Sequence, residues 1–342
     1  MPPRLNCAMT VRITINEERV LAVEPGRSLL ATLRDAQVFI LSACGGRGAC
    51  GTCRVRILQG ADAPLTPSER HWLSPVDKAE SIRLACQVKV ERDLRIEIPV
   101  AGPGVGEYRA EVVSLRDLTY DIKEVRLKLL DPPEMHFRAG QFVQFQVPGR
   151  NAGETVYRSY SIASNPLATH ELVFQIRHVP NGIATTYIHS QMRAADPVTI
   201  VGPWGSVYLR DSGRDVIFIA GGSGMSPVRS MLLDMINRRC PWRTRYFFGA
   251  RTARDLFRVE EMKEIEKKLP DFRFIPALSD PDPGDNWTGE RGLITDVVDR
   301  LVEKSPNADA YLCGSPTMVN ACVKVLKARG LSDDRIFFDK FV

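Results

Sequence analysis

Hydrophobic and polar residues follow three different patterns along the chain, and the first pattern mixes short strands with one helix. "VRITINEERVLAVEPG" contains two β-rich runs around a turn, and "RSLLATLRDA" then places apolar residues at helical spacing, at Leu29, Leu30 and Leu33. After a cysteine-rich loop come "TCRVRIL", the short segment "SERHWL", and the runs "IRLACQVKV" and "DLRIEIPV", which we expect to pair as strands. This is the pattern of a small β-grasp domain.

The second pattern has a period of two and begins after a glycine-rich segment. That segment, "AGPGVGE" at residues 101–107, predicts a linker. Beyond it, Val143, Phe145 and Val147 alternate with glutamines in "QFVQFQVPG", and "ELVFQIRHV" alternates in the same way. Several such strands close together predict a small antiparallel barrel.

The third pattern alternates apolar strands with helical stretches over the last third of the chain. "RDVIFIAGGSGMSPVRSMLLDMI" runs from a strand through a glycine turn into an amphipathic helix, and "RTRYFFGAR", "DFRFIPALS" and "ADAYLCGS" are further strands. Such alternation predicts a parallel sheet with helices on both faces, which binds ligands at the carboxyl ends of its strands.

The three patterns together predict an α+β multidomain protein. We expect a β-grasp domain at 1–103, an antiparallel β-barrel at 104–210 and a Rossmann-like α/β domain at 211–342, and a length of 342 residues suits two or three domains. The net charge of +5 fits either an acidic protein partner or simple solubility. We expect no nucleic-acid partner. The sequence has no run of eighteen apolar residues and no secretory signal, so we expect no membrane span and a cytoplasmic location.

Four of the eight cysteines stand apart as a candidate ligand set. Cys44, Cys50 and Cys53 lie in "CGGRGACGTC", and Cys86 follows 33 residues after Cys53. Structural zinc sites usually take their ligands as two close pairs, whereas one close pair with two single cysteines is typical of a [2Fe–2S] loop. Zinc remains the alternative. The four glycines of the loop favour the cluster, because they allow backbone N–H groups to approach negatively charged sulfur.

A strand in the barrel carries a candidate nucleotide site. "YRSYSIAS" places Arg158 and Tyr160 on one face, where an arginine can reach a pyrophosphate and a tyrosine can lie against an aromatic ring. An ordinary exposed edge strand is the alternative. Downstream, "NGIATTYIHS" sets Gly182 before Thr185 and Thr186 at a helix start, which fits an anion site or a simple helix cap.

Two glycine turns in the last third are candidates for binding a dinucleotide. In "GGSGMSP" Pro227 stands where the third glycine of the usual fingerprint would be, so that motif is only half met, and a turn that binds no nucleotide is the alternative. "YLCGSPTMVNA" supplies a second strand-to-helix turn at the same edge of the sheet, with Cys313 on the strand and Gly314 in the bend. A buried, inert cysteine is the alternative for Cys313.

The order of these motifs resembles the ferredoxin–NAD(P)H reductase superfamily with a fused amino-terminal [2Fe–2S] domain. Its members include reductase components of bacterial aromatic-ring and methane oxygenases and the flavin subunit of the sodium-translocating NADH:quinone reductase. The C-x5-C-x2-C loop is one residue longer than the plant type and is similar to that of the flavin subunit. That subunit has an amino-terminal membrane helix and this chain does not, so we expect it to lie outside the sodium pump.

The resemblance implies a role for each motif. Cys44, Cys50, Cys53 and Cys86 would hold the [2Fe–2S] cluster, and Phe341, rather than Phe338, would cover the flavin ring. Tyr160 and Cys313 are the implied catalytic residues. The residues implied for FAD are Arg158, Ser159, Tyr160, Ser161, Gly182, Thr185 and Thr186. The residues implied for the nicotinamide nucleotide are Gly221, Gly222, Gly224, Pro227, Cys313 and Gly314.

The resemblance also implies NADH as the electron donor. "FFGARTARDLFRVEEM" is similar to a segment of NADH-using members, and Asp255 and Glu260 would disfavour an extra 2′-phosphate, although Arg251 and Arg254 are close enough to accommodate one. Nicotinamide gives two electrons and the cluster accepts one, so flavin must lie between them. We expect the external acceptor to be the hydroxylase component of an oxygenase, with a quinone or another redox protein as the second choice. A non-catalytic electron-transfer or nucleotide-sensing adaptor is the alternative from a different class of function.

Overall fold

The computed structural model describes residues 10–99, 102, 104–151, 153–304 and 306–341. Within these ranges the chain forms two compact units. The first runs up to Gly106 and includes Tyr157–Ser159, and the second comprises Glu107–Val156 and the chain from Tyr160 onward. Residues 101 and 103 of the expected linker lie outside the described residues, and its last two residues already belong to a strand. The domain boundaries at 103 and 210 stay predictions.

The first unit is a five-stranded mixed sheet covered by a helix, which confirms the β-grasp prediction. Its elements are β1 (Val11–Ile15), β2 (Arg19–Val23), α1 (Leu29–Asp35), β3 (Arg54–Gln59), α2 (Pro67–Trp72), α3 (Pro75–Ala79), β4 (Ile82–Leu84) and β5 (Leu94–Glu97). The strand order is β2-β1-β5-β3-β4, with β1 and β5 parallel. The predicted leucines of α1 are buried in the core, and Ser28 caps the helix by accepting a hydrogen bond from the N–H of Ala31.

Two details of the predicted strand pairing are wrong. The strand in "IRLACQVKV" ends at Leu84, and Cys86 lies in the turn that follows, where the N–H of Gln87 donates to the carbonyl of Leu84 at 2.7 Å. Strands β4 and β5 do not pair with each other, because β5 inserts between β1 and β3 and both β4 and β5 pair with β3. The fourth cysteine is therefore presented by a turn beside β3 rather than by a strand.

A buried ion pair connects α2 to β4, just before that turn. Glu69 is 0% exposed, and Arg83 donates to its two carboxylate oxygens at 2.7 and 3.0 Å. The N–H groups of Thr66 and Leu84 also donate to Glu69, at 2.8 and 3.1 Å. Burial raises the pKa of Glu69, but these hydrogen bonds outweigh it and hold the pKa below its ordinary value.

The second unit begins with a six-stranded antiparallel sheet that curls into the predicted barrel. Its elements are β6 (Gly106–Asp117), β7 (Ile122–Asp131), β8 (Phe142–Pro148), β9 (Thr155–Ser161), β10 (Glu171–Arg177), α4 (Ile183–Ser190) and β11 (Pro197–Trp204). The strand order is β10-β7-β6-β11-β8-β9, and a bridge between Ile162 and Phe174 links the chain at the two edges. Val143, Phe145 and Val147 face the core as predicted.

A parallel sheet with helices completes the second unit, as the alternation of strands and helices predicts. Its elements are β12 (Asp215–Gly221), α5 (Met225–Asn237), β13 (Thr244–Ala250), α6 (Val259–Lys268), β14 (Phe272–Leu278), β15 (Glu290–Arg291), α7 (Ile294–Leu301), β16 (Ala308–Gly314), α8 (Pro316–Ala328) and β17 (Ile336–Lys340). The strand order is β15-β14-β13-β12-β16-β17. The order reverses between β12 and β16, so the loops that follow these two strands diverge there and leave a crevice in which such sheets bind ligands.

Four paired charges connect the parallel sheet to the barrel within this unit. The Arg258 guanidinium, at the start of α6, contacts both Glu124 of β7 and Glu261 of α6. Arg229 of α5 donates to Glu261 at 2.8 Å and to the carbonyl of Ala163 at 2.6 Å. Arg258 and Glu124 are 10% and 7% exposed, so these charges are held by their partners rather than by water.

The helices bear on the expectation of no membrane span. Within the described ranges, no helix combines the length and the apolar composition needed to cross a bilayer.

The Glu69–Arg83 pair yields a stability prediction. Changing Glu69 to alanine leaves Arg83 buried without its partner, so we expect the free energy of unfolding of the first unit to fall by about 3–5 kcal/mol at pH 7. Urea titration followed by circular dichroism measures this. Because the pKa of Glu69 is lowered by folding, its contribution is present above the unfolded-state value of about 4.3 and is lost as the pH falls further.

The control is Glu80→Ala in the same unit. Glu80 pairs with Arg56 at 2.8 Å, but the two side chains are 51% and 42% exposed, so we expect a loss below about 1 kcal/mol. Equal losses in the two variants would show that burial of the Glu69 pair has no special effect on stability.

Candidate functional site

The cysteine loop connects α1 to β3 and adopts a conformation that its glycines make possible. Gly45, Gly46, Gly48 and Gly51 all have positive φ, between 66° and 102°. At Gly51 a Cβ would also lie 2.7 Å from the Cβ of Trp72, too close for any side chain. Trp72 in turn donates from its indole Nε1 to the carbonyl of Gly48 at 3.1 Å. This tryptophan closes one side of the loop, and the sequence pattern did not predict that role.

Hydrogen-bond donors surround the cysteine sulfurs. The N–H of Cys44 donates to the Sγ of Cys50 at 3.3 Å, and the Thr52 hydroxyl lies 3.0 Å from the same sulfur. The hydrogen bond with Cys50 lowers the pKa of Cys44 to about 4, with backbone N–H groups of the loop adding to the shift. The hydrogen bond with Cys53 lowers the pKa of Cys86 to about 7. The same two contacts raise the pKa of Cys50 and of Cys53, so in each pair one sulfur is disposed to carry negative charge.

The four sulfurs are arranged as two interacting pairs, Cys44 with Cys50 and Cys53 with Cys86. Across the part of the chain that is described, no three or more His, Cys, Asp or Glu side chains form a group suited to a single metal ion. Two pairs of thiolates, each able to hold one iron, suit a two-iron cluster, and the surrounding N–H donors suit its negatively charged sulfurs. The residues present therefore fit a [2Fe–2S] cluster.

The predicted flavin strand is β9, and each residue of its motif can be located. Tyr160 packs edge-on against Phe145 of β8, with ring centroids 5.1 Å apart. Arg158 donates from Nη1 to the carbonyl of Tyr157 at 2.7 Å, and Ser159 donates from its hydroxyl to the carbonyl of Ala43 at 2.8 Å. Ser161 is the last residue of the strand. A flavin role for these four residues remains a prediction.

The predicted anion site at the start of α4 is present as a helix amino terminus, with a revision for one residue. Gly182 is the N-cap and supplies no side-chain cap. The Thr185 hydroxyl accepts from the N–H of Val179 at 3.1 Å, so it is used in closing the preceding loop, and the N–H of Thr186 donates to the carbonyl of Gly182. The donors left for a phosphate are the N–H groups of the first turn, which have no acceptor within the helix.

The two glycine turns of the parallel sheet meet at the point where the strand order reverses. Gly221 ends β12, Gly222 and Gly224 form a 3₁₀ turn, and Pro227 lies in the first turn of α5. A Cβ on Gly224 would lie 2.1 Å from the carbonyl oxygen of Cys313. The predicted residues of both turns are thus brought together, and only glycine at position 224 allows the approach.

The buried Cys313 and the half-buried Asp339 lie on neighbouring strands at this point. Cys313 is 0% exposed, and burial raises the pKa of its thiol well above the ordinary value. It lies opposite Asp339 of β17, whose pKa burial raises to about 6. Asp339 was not predicted from the sequence. Only the register of β16 and β17 reveals it, although an acidic residue in the apolar run "IFFDKFV" is a signal that could have been noticed.

Arg177 is a second residue that the sequence motifs did not single out. Its Nη1 would be 3.0 Å from a Cβ on Gly222, so the guanidinium lies over the glycine turn. Arg177 also donates from Nε to Asp121 at 2.7 Å, which fixes its orientation. A cation beside a glycine turn is suited to the phosphates of a dinucleotide.

Phe341 lies next to the same turn. The N–H of Phe341 donates to the carbonyl of Gly314 at 2.9 Å, whereas Phe338 is 39% exposed and contacts Lys340. Phe341 is therefore the aromatic residue connected to the turn at Gly314. Its role as a cover for the flavin ring stays a prediction.

The two acidic residues expected to select NADH, Asp255 and Glu260, lie in different environments. Asp255 is 9% exposed and accepts hydrogen bonds from the N–H of Thr252 and from the hydroxyl of Tyr120, both at 2.8 Å. Glu260 is exposed and pairs with Lys263. Arg251, which could accommodate a 2′-phosphate, pairs with Asp280 after β14. The carboxylate of Asp280 therefore already pairs with Arg251, the basic side chain that could otherwise bind the 2′-phosphate of NADPH.

Comparison with known proteins bears on these sites. A 2Fe-2S iron-sulfur cluster binding domain matches residues 13–91, an oxidoreductase FAD-binding domain matches 109–208, and an oxidoreductase NAD-binding domain matches 218–324. The first match contains all four cysteines of the candidate cluster site and decides against zinc.

Relatives match along almost the whole chain. The F subunit of the Na(+)-translocating NADH-quinone reductase of Serratia proteamaculans is 33% identical, over 97% of this chain and 91% of its own length. The chain belongs to the ferredoxin reductase family with a fused [2Fe–2S] domain. The corresponding F subunit of Yersinia pestis is 34% identical to this reductase over the same shares of the two chains.

Two solved structures are similar to this reductase throughout. A cytochrome P450 reductase of Amycolatopsis has a TM-score of 0.77 and 30% identity, over 97% of this chain and 99% of that one. The ferredoxin reductase in carbazole 1,9a-dioxygenase has a TM-score of 0.74 and 28% identity, over 98% and 99%. The chain is thus an oxidoreductase that combines [2Fe–2S], FAD and NAD domains.

The contact at Gly224 predicts the effect of a single methyl group. In Gly224→Ala the new Cβ would collide with the backbone of Cys313, so the turn must move, and we expect at least about a tenfold rise in the Kd for NAD⁺ measured by calorimetry. Gly284→Ala is the control, because nothing lies within 4 Å of its Cβ position. An unchanged Kd in the first variant would mean that the turn can adjust without affecting the nucleotide.

Asp339 predicts a pH dependence of stability. Its pKa of about 6 in the folded protein lies above the unfolded value of about 3.9, so its stabilising effect is fully present below about pH 4 and is lost as the pH rises through about 6. We therefore expect Asp339→Asn to have a higher Tm than the wild type at pH 7.5, with the difference shrinking at pH 5. A Tm difference that does not change with pH would contradict this assignment.

Proposed function

We propose that this protein is an NADH-dependent reductase that passes electrons through FAD and a [2Fe–2S] cluster to a redox protein, the hydroxylase component of an oxygenase. The observation that carries the proposal is the likeness, over 97% and 98% of the chain, to a cytochrome P450 reductase and to the ferredoxin reductase in a dioxygenase. The name of the first relates it to a cytochrome P450, and that of the second to a dioxygenase. The cytoplasmic location remains a prediction from the sequence.

Each candidate site has a stated role in this proposal. The four cysteines hold the cluster, the β9 motif and the start of α4 hold FAD, and the turns at Gly224 and Gly314 hold the nicotinamide nucleotide. Flavin accepts an electron pair as hydride and releases single electrons, and a [2Fe–2S] cluster accepts one at a time. The chain itself supplies binding and orientation, and these tune the bound groups.

The residues at the meeting of the two turns define what the protein does during hydride transfer. Arg177 holds the phosphates of the nucleotide beside Gly222. Tyr160 and Cys313 would contact the reacting rings, and Phe341 would cover the flavin ring. Asp339 holds a proton below about pH 6 and keeps the environment of Cys313 neutral there. Asp280 pairs with Arg251 and so disfavours the additional phosphate of NADPH.

A second candidate function has a different acceptor. The 33–34% identity to the F subunits of Na(+)-translocating NADH-quinone reductases favours a quinone, or another carrier, as the recipient of the electrons. A non-catalytic electron-transfer or nucleotide-sensing adaptor is the remaining alternative. The presence of all four cysteines together with Arg158 and Tyr160 argues against the adaptor.

The first test is the content and activity of the purified protein. We expect two irons, two sulfides and one FAD per chain, and oxidation of NADH with ferricyanide as the acceptor. Reduction of an oxygenase hydroxylase, a water-soluble quinone and cytochrome c is then compared in parallel. Absence of flavin and of NADH oxidation would leave only the adaptor, and preference for the quinone would favour the second candidate.

Cys86→Ser tests the order in which electrons travel. We expect the variant to lose most of its iron and at least about 90% of its electron transfer to a protein that accepts one electron, because that route leaves through the cluster. Reduction of ferricyanide, which can take electrons from flavin directly, should persist largely unchanged. Both rates are measured with NADH under anaerobic conditions.

Cys240→Ala provides the matched control, since Cys240 is a buried cysteine of the second unit and is far in sequence from the four predicted ligands. It should leave both rates near those of the wild type. Equal loss of the two rates in Cys86→Ser would mean that the cluster is not downstream of flavin or that the first unit is required for the folding of the rest.

A further inference from the structure

Arg34 is a half-buried cation beside the cysteine loop whose position none of the motifs explains. It lies in the last turn of α1, directly before the segment that carries Cys44. Its Nη1 is 3.5 Å from the carbonyl of Gly45, and its guanidinium carbon lies 4.0 Å from the centre of the Tyr157 ring, which belongs to the same unit. The side chain is therefore held against the loop by a carbonyl and by an aromatic face.

No carboxylate of the described residues neutralises this charge. Among the ion pairs within those ranges none includes Arg34, and its Nη2 is buried without a hydrogen-bond partner. By contrast, Arg27 near the other end of α1 pairs with Asp35 and is 59% exposed. An unpaired buried guanidinium is costly, so an arginine in this position needs a negatively charged neighbour that the acidic side chains do not supply.

Burial lowers the pKa of Arg34, and the ionised forms of Tyr157, Cys53, Cys44 and Cys86 oppose that shift. Three of the four predicted cluster ligands therefore lie close enough for their negative charge to act on this guanidinium. Arginine stays protonated under all relevant conditions, so its charge is constant while the charge of the ligand set changes. A cluster held by four thiolates is negative, and it becomes more negative by one charge when it accepts an electron.

We propose that Arg34 raises the reduction potential of the [2Fe–2S] cluster by stabilising its reduced state, an inference that rests on the proposed function. One electron enters the cluster from the flavin side and no proton moves, because Arg34 keeps its proton throughout. A fixed positive charge stabilises the added negative charge of the reduced cluster more than a neutral side chain would. Arg34 is thus a positioning residue that acts through its electrostatic field and does not exchange electrons itself.

The expected size of the effect follows from Coulomb's law. For two unit charges roughly 10 Å apart at an effective dielectric constant of about 35, removing one of them shifts the equilibrium between oxidised and reduced cluster by about five-fold, which we take as the scale of the effect. For one electron, tenfold corresponds to about 59 mV, so the shift is about 40 mV toward more negative potential.

The test is a potentiometric titration of the whole protein followed by the electron paramagnetic resonance signal of the reduced cluster. The variants are Arg34→Gln and Arg34→Met, which remove the charge, and Arg34→Lys, which retains it. Arg27→Gln is the matched control, because Arg27 directly precedes the cap of the same helix and is exposed. We expect both neutral variants to shift by about 40 mV, Arg34→Lys to stay close to the wild type, and Arg27→Gln to be unchanged.

Each other outcome overturns the inference in a defined way. The resonance signal reports only molecules that hold a cluster, so partial loss of iron does not hide the potential. Unchanged potentials in the neutral variants, or an equal shift in Arg34→Lys, would show that the charge has no such effect. Loss of the cluster in every variant, lysine included, would assign Arg34 to packing. If the wild type itself contains no iron or sulfide, the proposed function fails instead.

Discussion

The architecture of the second unit depends on how closely two backbone turns can approach each other. The turn after β12 and the end of β16 come together where the strand order reverses, and the carbonyl of Cys313 occupies the space that a Cβ at position 224 would need. This approach brings the start of α5, the bend at Gly314 and Phe341 to one edge of the sheet. A nucleotide site formed mainly by backbone leaves little room for side chains, and those that remain, such as Arg177, reach in from the barrel.

Much of the fold was predictable from the sequence because it depends on local periodicity. The leucines of α1, the strand β8 and the strand–turn–helix at Gly221 all follow from short-range patterns, and the structure confirms these elements, although Gln144 of β8 is buried together with the apolar residues. The pairing of β4 and β5 was predicted wrongly because the choice of a partner strand is not local. Strand β5 follows β4 in the chain, yet it fits between β1 and β3, where its apolar residues are buried on the core.

In the candidate sites, too, features that depend on residues close in sequence were predictable, and features that depend on tertiary contacts were not. The cysteine spacing predicted the cluster site because the ligands of one loop are close in sequence, while the position of Cys86 in a turn required the tertiary structure. Asp339 became visible only through its register with Cys313. Asp255 was expected to disfavour an extra 2′-phosphate, but its carboxylate is already hydrogen-bonded to Thr252 and Tyr120. A single sequence shows which side chains are present, but it does not show which of them already have a partner.

The ion network around Arg258 has a consequence for how the molecule comes apart. Glu124 belongs to the barrel and Glu261 to a helix of the parallel sheet, and Arg258 contacts both, so separating these two parts would remove one of the partners that neutralise a largely buried guanidinium. Neither part can melt independently without that penalty. In a calorimeter the barrel and the parallel sheet should therefore give one shared heat-absorption peak, rather than the two peaks that loosely tethered modules of this size would produce.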